Sequence, residues 1–171
     1  MPLRPPRRDA RVPTLTARRW IGPLLFAALV SGCGTAARYR DPGDRFERIR
    51  LLPPVAGPVS SGFGNRSGGR HAGVDILAPA GTEVRAASQG RVETSGAGKR
   101  GYGNAVIIDH GEGITTLYGH LATIRVQSGE TVRAGDGIGT VGRSGNATTH
   151  HLHFELRVDG EAVDPVPYLN R

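Results

Sequence analysis

The chain has 171 residues, one cysteine and a formal net charge of +7, a length that suits one domain with its own core plus a short extra segment. A single cysteine excludes an intramolecular disulfide and a cysteine-based zinc site. The charge is concentrated at the start: residues 1–32 carry Arg4, Arg7, Arg8, Arg11, Arg18 and Arg19 against Asp9 alone. Beyond them 16 basic side chains face 14 acidic ones, and without a basic cluster this excludes nucleic acid as a partner.

The basic opening leads into an apolar run from Trp20 to Val30, then into Ser31-Gly32-Cys33. Eleven residues are too few for a bilayer-spanning helix, which needs roughly 20. A basic stretch, a short apolar stretch and small residues at a cut site are the anatomy of an export signal. Residues 1–32 are therefore expected to form a signal peptide with a short signal helix. Val30-Ser31-Gly32-Cys33 resembles the lipobox of bacterial lipoproteins. The resemblance implies cleavage before Cys33, lipidation of its thiol and attachment to a membrane. Gly34, where an inner-membrane lipoprotein would have aspartate, implies the periplasmic face of the outer membrane.

Residues 33–52 are polar with little periodicity and read as a tether after the anchored cysteine. The domain is expected over residues 53–171. There the chain turns to short β-branched runs separated by glycine, and we read strands at 73–76, 83–86, 91–94, 105–109, 115–121, 131–132, 138–141, 152–158 and 162–163. Short, closely spaced strands with glycine turns and no amphipathic helix beyond residue 50 give an all-β fold, a sandwich or barrel-like sheet. Gly81-Thr82-Glu83-Val84-Arg85-Ala86-Ala87 and Gly129-Glu130-Thr131-Val132-Arg133-Ala134-Gly135 look like two versions of one turn-and-strand unit.

All six histidines fall in this domain. The stretch 151–158 alternates strictly, which sends Leu152, Phe154, Leu156 and Val158 into a core and sets His151 and His153 on the other face. Within His71-Ala72-Gly73-Val74-Asp75-Ile76, His71 and Asp75 share a face. Zinc takes imidazole nitrogen and carboxylate oxygen, and a catalytic zinc keeps three protein ligands and a place for water; His71, Asp75 and His153 would supply such a set. Positions i and i+4 on a straight strand lie about 13–14 Å apart, so Gly73 must permit a bend. Alternation places Thr116, Tyr118 and His120 on one face, and His120 and His151 are left over beside the metal. A neutral imidazole there can take a proton from water, whose pKa a metal lowers toward about 7. For His110 and His150 a purely structural role is expected, and Tyr118 reads as a packing residue.

His71-x-x-x-Asp75, Tyr118-Gly119-His120 and His151-x-His153 resemble the three signatures of lysostaphin/LytM-type zinc endopeptidases, and the likeness runs from about Val59 to Leu169. That family cuts peptide stems and bridges of bacterial peptidoglycan. The resemblance implies one Zn2+ on His71, Asp75 and His153, His120 and His151 as the catalytic pair, and a groove floored by a duplicated antiparallel β-motif. His150 stands where a proline is common. Two alternatives stay open: a non-catalytic peptidoglycan-binding regulator of cell-wall hydrolases, and an iron(II) site, since two histidines and a carboxylate also make a facial triad.

Overall fold

Each of the nine segments expected from the sequence is a strand, and three short strands that it did not announce, Val59–Ser61, Gly64–Arg66 and Gly69–His71, precede them. The computed structural model describes residues 49–66, 68–98 and 101–169. The signal segment, Cys33 and the tether up to residue 48 lie outside the described residues. The strands are β1 (Val59–Ser61), β2 (Gly64–Arg66), β3 (Gly69–His71), β4 (Val74–Leu77), β5 (Glu83–Arg85), β6 (Gly90–Ala97), β7 (Asn104–Asp109), β8 (Ile114–Ile124), β9 (Thr131–Val132), β10 (Gly137–Val141), β11 (His151–Val158) and β12 (Glu161–Val163). A single 3₁₀ turn, Val166–Tyr168, is the helical element among the described residues.

Strands β1-β4-β11-β8-β7-β6-β9 lie side by side in that order, with β12 against β11 and β10 bridging β5 and β8. All the pairings are antiparallel, and β2–β3 forms a separate hairpin. The eleven-residue β8 serves two neighbourhoods. Residues 114–119 pair with β11, while Leu121, Thr123 and Ile124 pair with β10 across a register shift. The two similar turn-and-strand units become β5 and β9, each entered through a glycine with positive φ, Gly81 at 80° and Gly129 at 92°.

The core collects the expected face of β11: Leu152, Phe154 and Leu156 are fully buried and Val158 nearly so. Val74, Ile76, Val84, Val106, Ile108, Leu121 and Ile138 join them. At about 0.8 kcal/mol per buried CH₂, this layer is what holds the sheet in register. One expectation needs correcting. Residues 49–52, read as tether, join the domain instead: Ile49 and Leu51 are buried, and Leu51 bridges to Leu169. Two isolated apolar side chains carry no periodicity, so the sequence pattern could not reveal them.

The polar face of β11 differs from the half-exposed face that alternation suggests. His151, His153 and Glu155 are all buried there. They sit at the bottom of a cleft rather than on an open sheet surface.

Candidate metal centre

The first two candidate ligands come from one interrupted strand. β3 ends at His71 and β4 begins at Val74, so the chain breaks its extended path at Ala72-Gly73. A Cβ at Gly73 would lie 2.2 Å from the Phe154 carbonyl oxygen, which is why only glycine fits where the chain crosses β11. The bend collapses the straight-strand separation to 3.1 Å between His71 Nε2 and Asp75 Oδ1. The third candidate arrives by register, because β11 pairs with β4 so that His153 stands directly opposite Asp75. His153 Nδ1 lies 2.9 Å from Asp75 Oδ1 and 3.1 Å from His71 Nε2.

The chemistry of this donor set fits a zinc ion. His71 Nδ1 sits 2.7 Å from the Gly62 carbonyl and so donates there, which leaves the Nε2 lone pair facing inward. His153 Nε2 sits 2.9 Å from Glu155 Oε1 and donates to it, which turns the Nδ1 lone pair inward. Two lone pairs and a carboxylate oxygen thus converge with no proton of their own to share. Tetrahedral zinc, with bonds of about 2.0–2.2 Å, needs ligands about 3.3–3.6 Å apart, a small expansion of the observed triangle. Without a metal, the same convergence attracts a proton. Burial disfavours charge on His153, but the hydrogen bonds to Asp75 and Glu155 outweigh it and raise its pKa. Burial likewise opposes charge on Asp75, yet the His153 hydrogen bond and the surrounding imidazoles hold its carboxyl below the usual range.

His120 and His151 stand beside this set, their rings 4.8 Å apart, with His120 5.8 Å from the His153 ring. His151 Nε2 is 3.7 Å from Asp75 Oδ1, and its Nδ1 lies 3.0 Å from the Thr149 carbonyl. His120 Nδ1 donates to the Ser144 carbonyl at 2.8 Å. Each ring therefore has its N–H committed to backbone and its Nε2 left as a base. Burial, together with the neighbouring imidazoles, lowers the His120 pKa despite the Ser144 bond, so the ring is neutral near pH 7.

His120 reaches the site by a route that alternation did not foresee. Thr116 and Tyr118 do not share its face. Both are fully buried in the core, where the Tyr118 hydroxyl accepts from Thr116 Oγ1 and from the Ala87 amide. His120 would follow them inward, but its φ of 61° re-aims the imidazole toward the cleft. Such strain for a non-glycine residue costs about 1–3 kcal/mol and has to be held in place. Here the His120 amide bonds to the Tyr102 carbonyl at 2.7 Å. A clasp of Asn146 amide to Gly101 carbonyl and Asn104 amide to Ser144 Oγ, each at 2.9 Å, ties the flanking loops together.

Three further residues at the site escaped the sequence reading. Glu155 is a fully buried carboxylate; besides His153 it accepts from the Tyr102 hydroxyl at 2.5 Å and from Arg157 Nε at 2.7 Å. Burial alone would raise the Glu155 pKa, but these donors outweigh it and lower it. Tyr102 stacks on the His153 ring at 5.4 Å, and burial plus the Glu155 contact push its phenol up to about 12, so it remains a donor. Glu155 and Arg157 continue the alternation of His151 and His153 and could have been found by extending that pattern. Tyr102 lies between two glycines in a loop, with no signal in the sequence. His110 is structural, bonded to the Gln89 carbonyl at 2.7 Å and to Thr116 Oγ1 at 2.8 Å. His150 is exposed.

The cleft around the five candidate residues encloses ≈ 580 Å³, and Tyr102 separates it from an adjoining cavity of ≈ 850 Å³. Residues 69–165 match the model of peptidase family M23. Over 124 residues the chain is 44% identical to the DD-carboxypeptidase/endopeptidase Mpg of Neisseria meningitidis, covering 69% of this chain and 28% of the relative. It is 42% identical over 118 residues to the outer membrane antigenic lipoprotein B of Haemophilus influenzae, covering 69% and 29%. It is 40% identical over 116 residues to the murein hydrolase activator NlpD of Escherichia coli, covering 68% and 30%. The chain thus spans less than a third of these relatives' lengths. Among solved structures it resembles lysostaphin from Staphylococcus simulans with a TM-score of 0.62 at 33% identity, over 66% of this chain and 48% of that one.

Proposed function

The chain belongs to peptidase family M23, and on that premise we propose that it is a zinc-dependent endopeptidase acting on the stem peptides or peptide cross-links of bacterial peptidoglycan. The observation that carries this reading is the convergence of His71 Nε2, Asp75 Oδ1 and His153 Nδ1, within 4.8 Å of one another, with the imidazoles of His120 and His151 alongside. These three residues would hold the zinc. Bound zinc supplies a Lewis acid that polarises a carbonyl and makes water a competent nucleophile near neutral pH.

The chain's own groups do the rest. His120 Nε2 would take a proton from the attacking water and return it to the amine nitrogen as the peptide bond breaks, and the His151 ring stands where it can face the oxygen on which charge develops. Glu155 holds the tautomer of His153, and Tyr102 packs its ring against His153 from the side. Export by residues 1–32, acylation at Cys33 and a position on the periplasmic face of the outer membrane complete the proposal. The lipoprotein name of the Haemophilus influenzae relative supports that location.

A second reading, a wall-binding activator without turnover, draws on the likeness to NlpD. The filling of all five site positions favours the enzyme. The two separate in one experiment: the full chain loaded with zinc is incubated with cross-linked peptidoglycan and the products are read by mass spectrometry. The enzyme releases cut stem peptides, and His120→Ala abolishes turnover while zinc stays bound. Intact cross-links with the wild-type chain would reject the peptidase.

A further inference from the structure

Two arginines on the wall of the cleft have no task in the mechanism above. Arg66 ends β2 and Arg70 is the middle residue of β3. The hairpin register pairs Asn65 with Arg70 and Gly64 with His71, so one short hairpin delivers a candidate ligand and both guanidinium groups. Both arginines line the same cleft as His71, Asp75, His120 and His153. We propose that Arg66 and Arg70 select peptides that carry a free carboxylate beside the bond to be cut, a specificity that rests on the hydrolase reading above and narrows its substrate.

The charges of the cleft point to an anionic occupant. Arg70 is exposed, with its guanidinium 5.6 Å over the Phe63 ring. That stacking orients the fork while leaving its N–H edge open. Among the described residues no carboxylate lies within salt-bridge distance of it. Arg66 reaches one carboxylate, Asp75, and only at 3.8 Å, too far for a hydrogen bond. Its Nη1 bonds instead to Ser61 Oγ at 3.2 Å. Asp75 faces the ligand set, so its charge is committed inward. The remaining acid of the cleft, Glu155, is neutralised by Arg157 at 2.6 Å.

With a dication in the ligand set, the cleft is therefore net positive. The sign is local. Beyond Tyr102 the adjoining cavity is lined by Glu93, Asp109, Glu112 and Asp159 against Arg157. A planar carboxylate takes two parallel N–H bonds from a guanidinium, and the nearness of Arg66 to Asp75 puts that carboxylate within one residue of the cut. Glycine bridges offer no such group; stem peptides do.

The test uses the full chain and a matched pair of stem-peptide dimers, identical except that the carboxylate next to the scissile bond is free in one and a primary amide in the other. The wild-type chain should prefer the free carboxylate by about 10- to 100-fold in kcat/KM, the range of a lost charge-assisted pair. Arg66→Gln with Arg70→Gln should erase that preference by slowing the free acid and sparing the amide. Arg66→Lys with Arg70→Lys should restore part of it, since lysine keeps the charge without the fork. Equal rates for the two dimers on the wild-type chain, or a preference that survives the double glutamine variant, would overturn the proposal. If neither dimer is cut, the peptidase reading fails by itself. Calorimetric binding of the two dimers to the wild-type and double-glutamine chains then decides the specificity.

Discussion

Glu155→Gln is the most informative single change in this protein, because it removes the charge of one fully buried carboxylate without changing its shape. In the native chain Oε1 accepts from His153 Nε2 at 2.9 Å and from the Tyr102 hydroxyl, while Oε2 accepts from Arg157 Nε at 2.7 Å. Glutamine has one acceptor oxygen, so its amide nitrogen must face either the His153 N–H or the Arg157 donors, donor against donor. If the oxygen serves Arg157, His153 loses the partner that fixes its tautomer, and the proton can move to the nitrogen that should meet the metal. Loss of such a support costs about 10- to 100-fold in metal affinity, or roughly 1.4–2.7 kcal/mol. If the oxygen serves His153, Arg157 is left with its charge unpaired. Breaking a buried pair costs about 3–5 kcal/mol, but Arg157 keeps 27% of its side-chain surface exposed, so water screens part of the loss and about 2–3 kcal/mol is expected. The zinc affinity of the folded variant is measured by competition with a chromophoric chelator, alongside its thermal melt. Tyr102→Phe serves as the internal comparison: it removes one donor and leaves the other two bonds of Glu155, so its affinity should fall less than about threefold. A Glu155→Gln chain with wild-type zinc affinity and wild-type melting would refute the argument that this carboxylate orients His153.

Two more expectations follow from the same geometry. Gly73→Ala forces a methyl to within 2.2 Å of the Phe154 carbonyl, so β4 must move off β11. Overpacking of this kind costs about 1–3 kcal/mol, and because that register sets Asp75 opposite His153, zinc binding should weaken with the melt. An alanine variant with native affinity would show that the bend tolerates a side chain. His110 gives a pH signature: burial lowers its pKa despite the Gln89 bond, so keeping it neutral stabilises the fold. That contribution is complete above the unfolded value of about 6.5 and is lost as pH falls below it. His110→Gln should therefore show a shallower drop in urea midpoint between pH 7.5 and 5.5 than the wild-type chain. Parallel acid limbs would place the titrating group elsewhere.

Alternation and glycine turns are local, and one period of two sorts a strand into faces, so β4 to β12, the apolar face of β11 and the residues that cluster were legible in the chain, whereas the short β1, β2 and β3 were not. The sequence also demanded a bend at Gly73, since no straight strand brings His71 and Asp75 to one ion. Whatever depends on partners distant in the chain came only with the packed fold. The pairing of β4 with β11 sets Asp75 against His153, and the positive φ of His120 turns it away from Thr116 and Tyr118, against the alternation. Burial of Glu155 under Tyr102 and Arg157 turns an ordinary polar position into the group that orients His153. Residues 51 and 52 join the domain because Leu169 pairs with Leu51 and the carbonyls of Tyr168 and Ala87 take the amides of Leu51 and Leu52. These are contacts between segments far apart in sequence, and a local pattern carries no information about which segment will arrive opposite it.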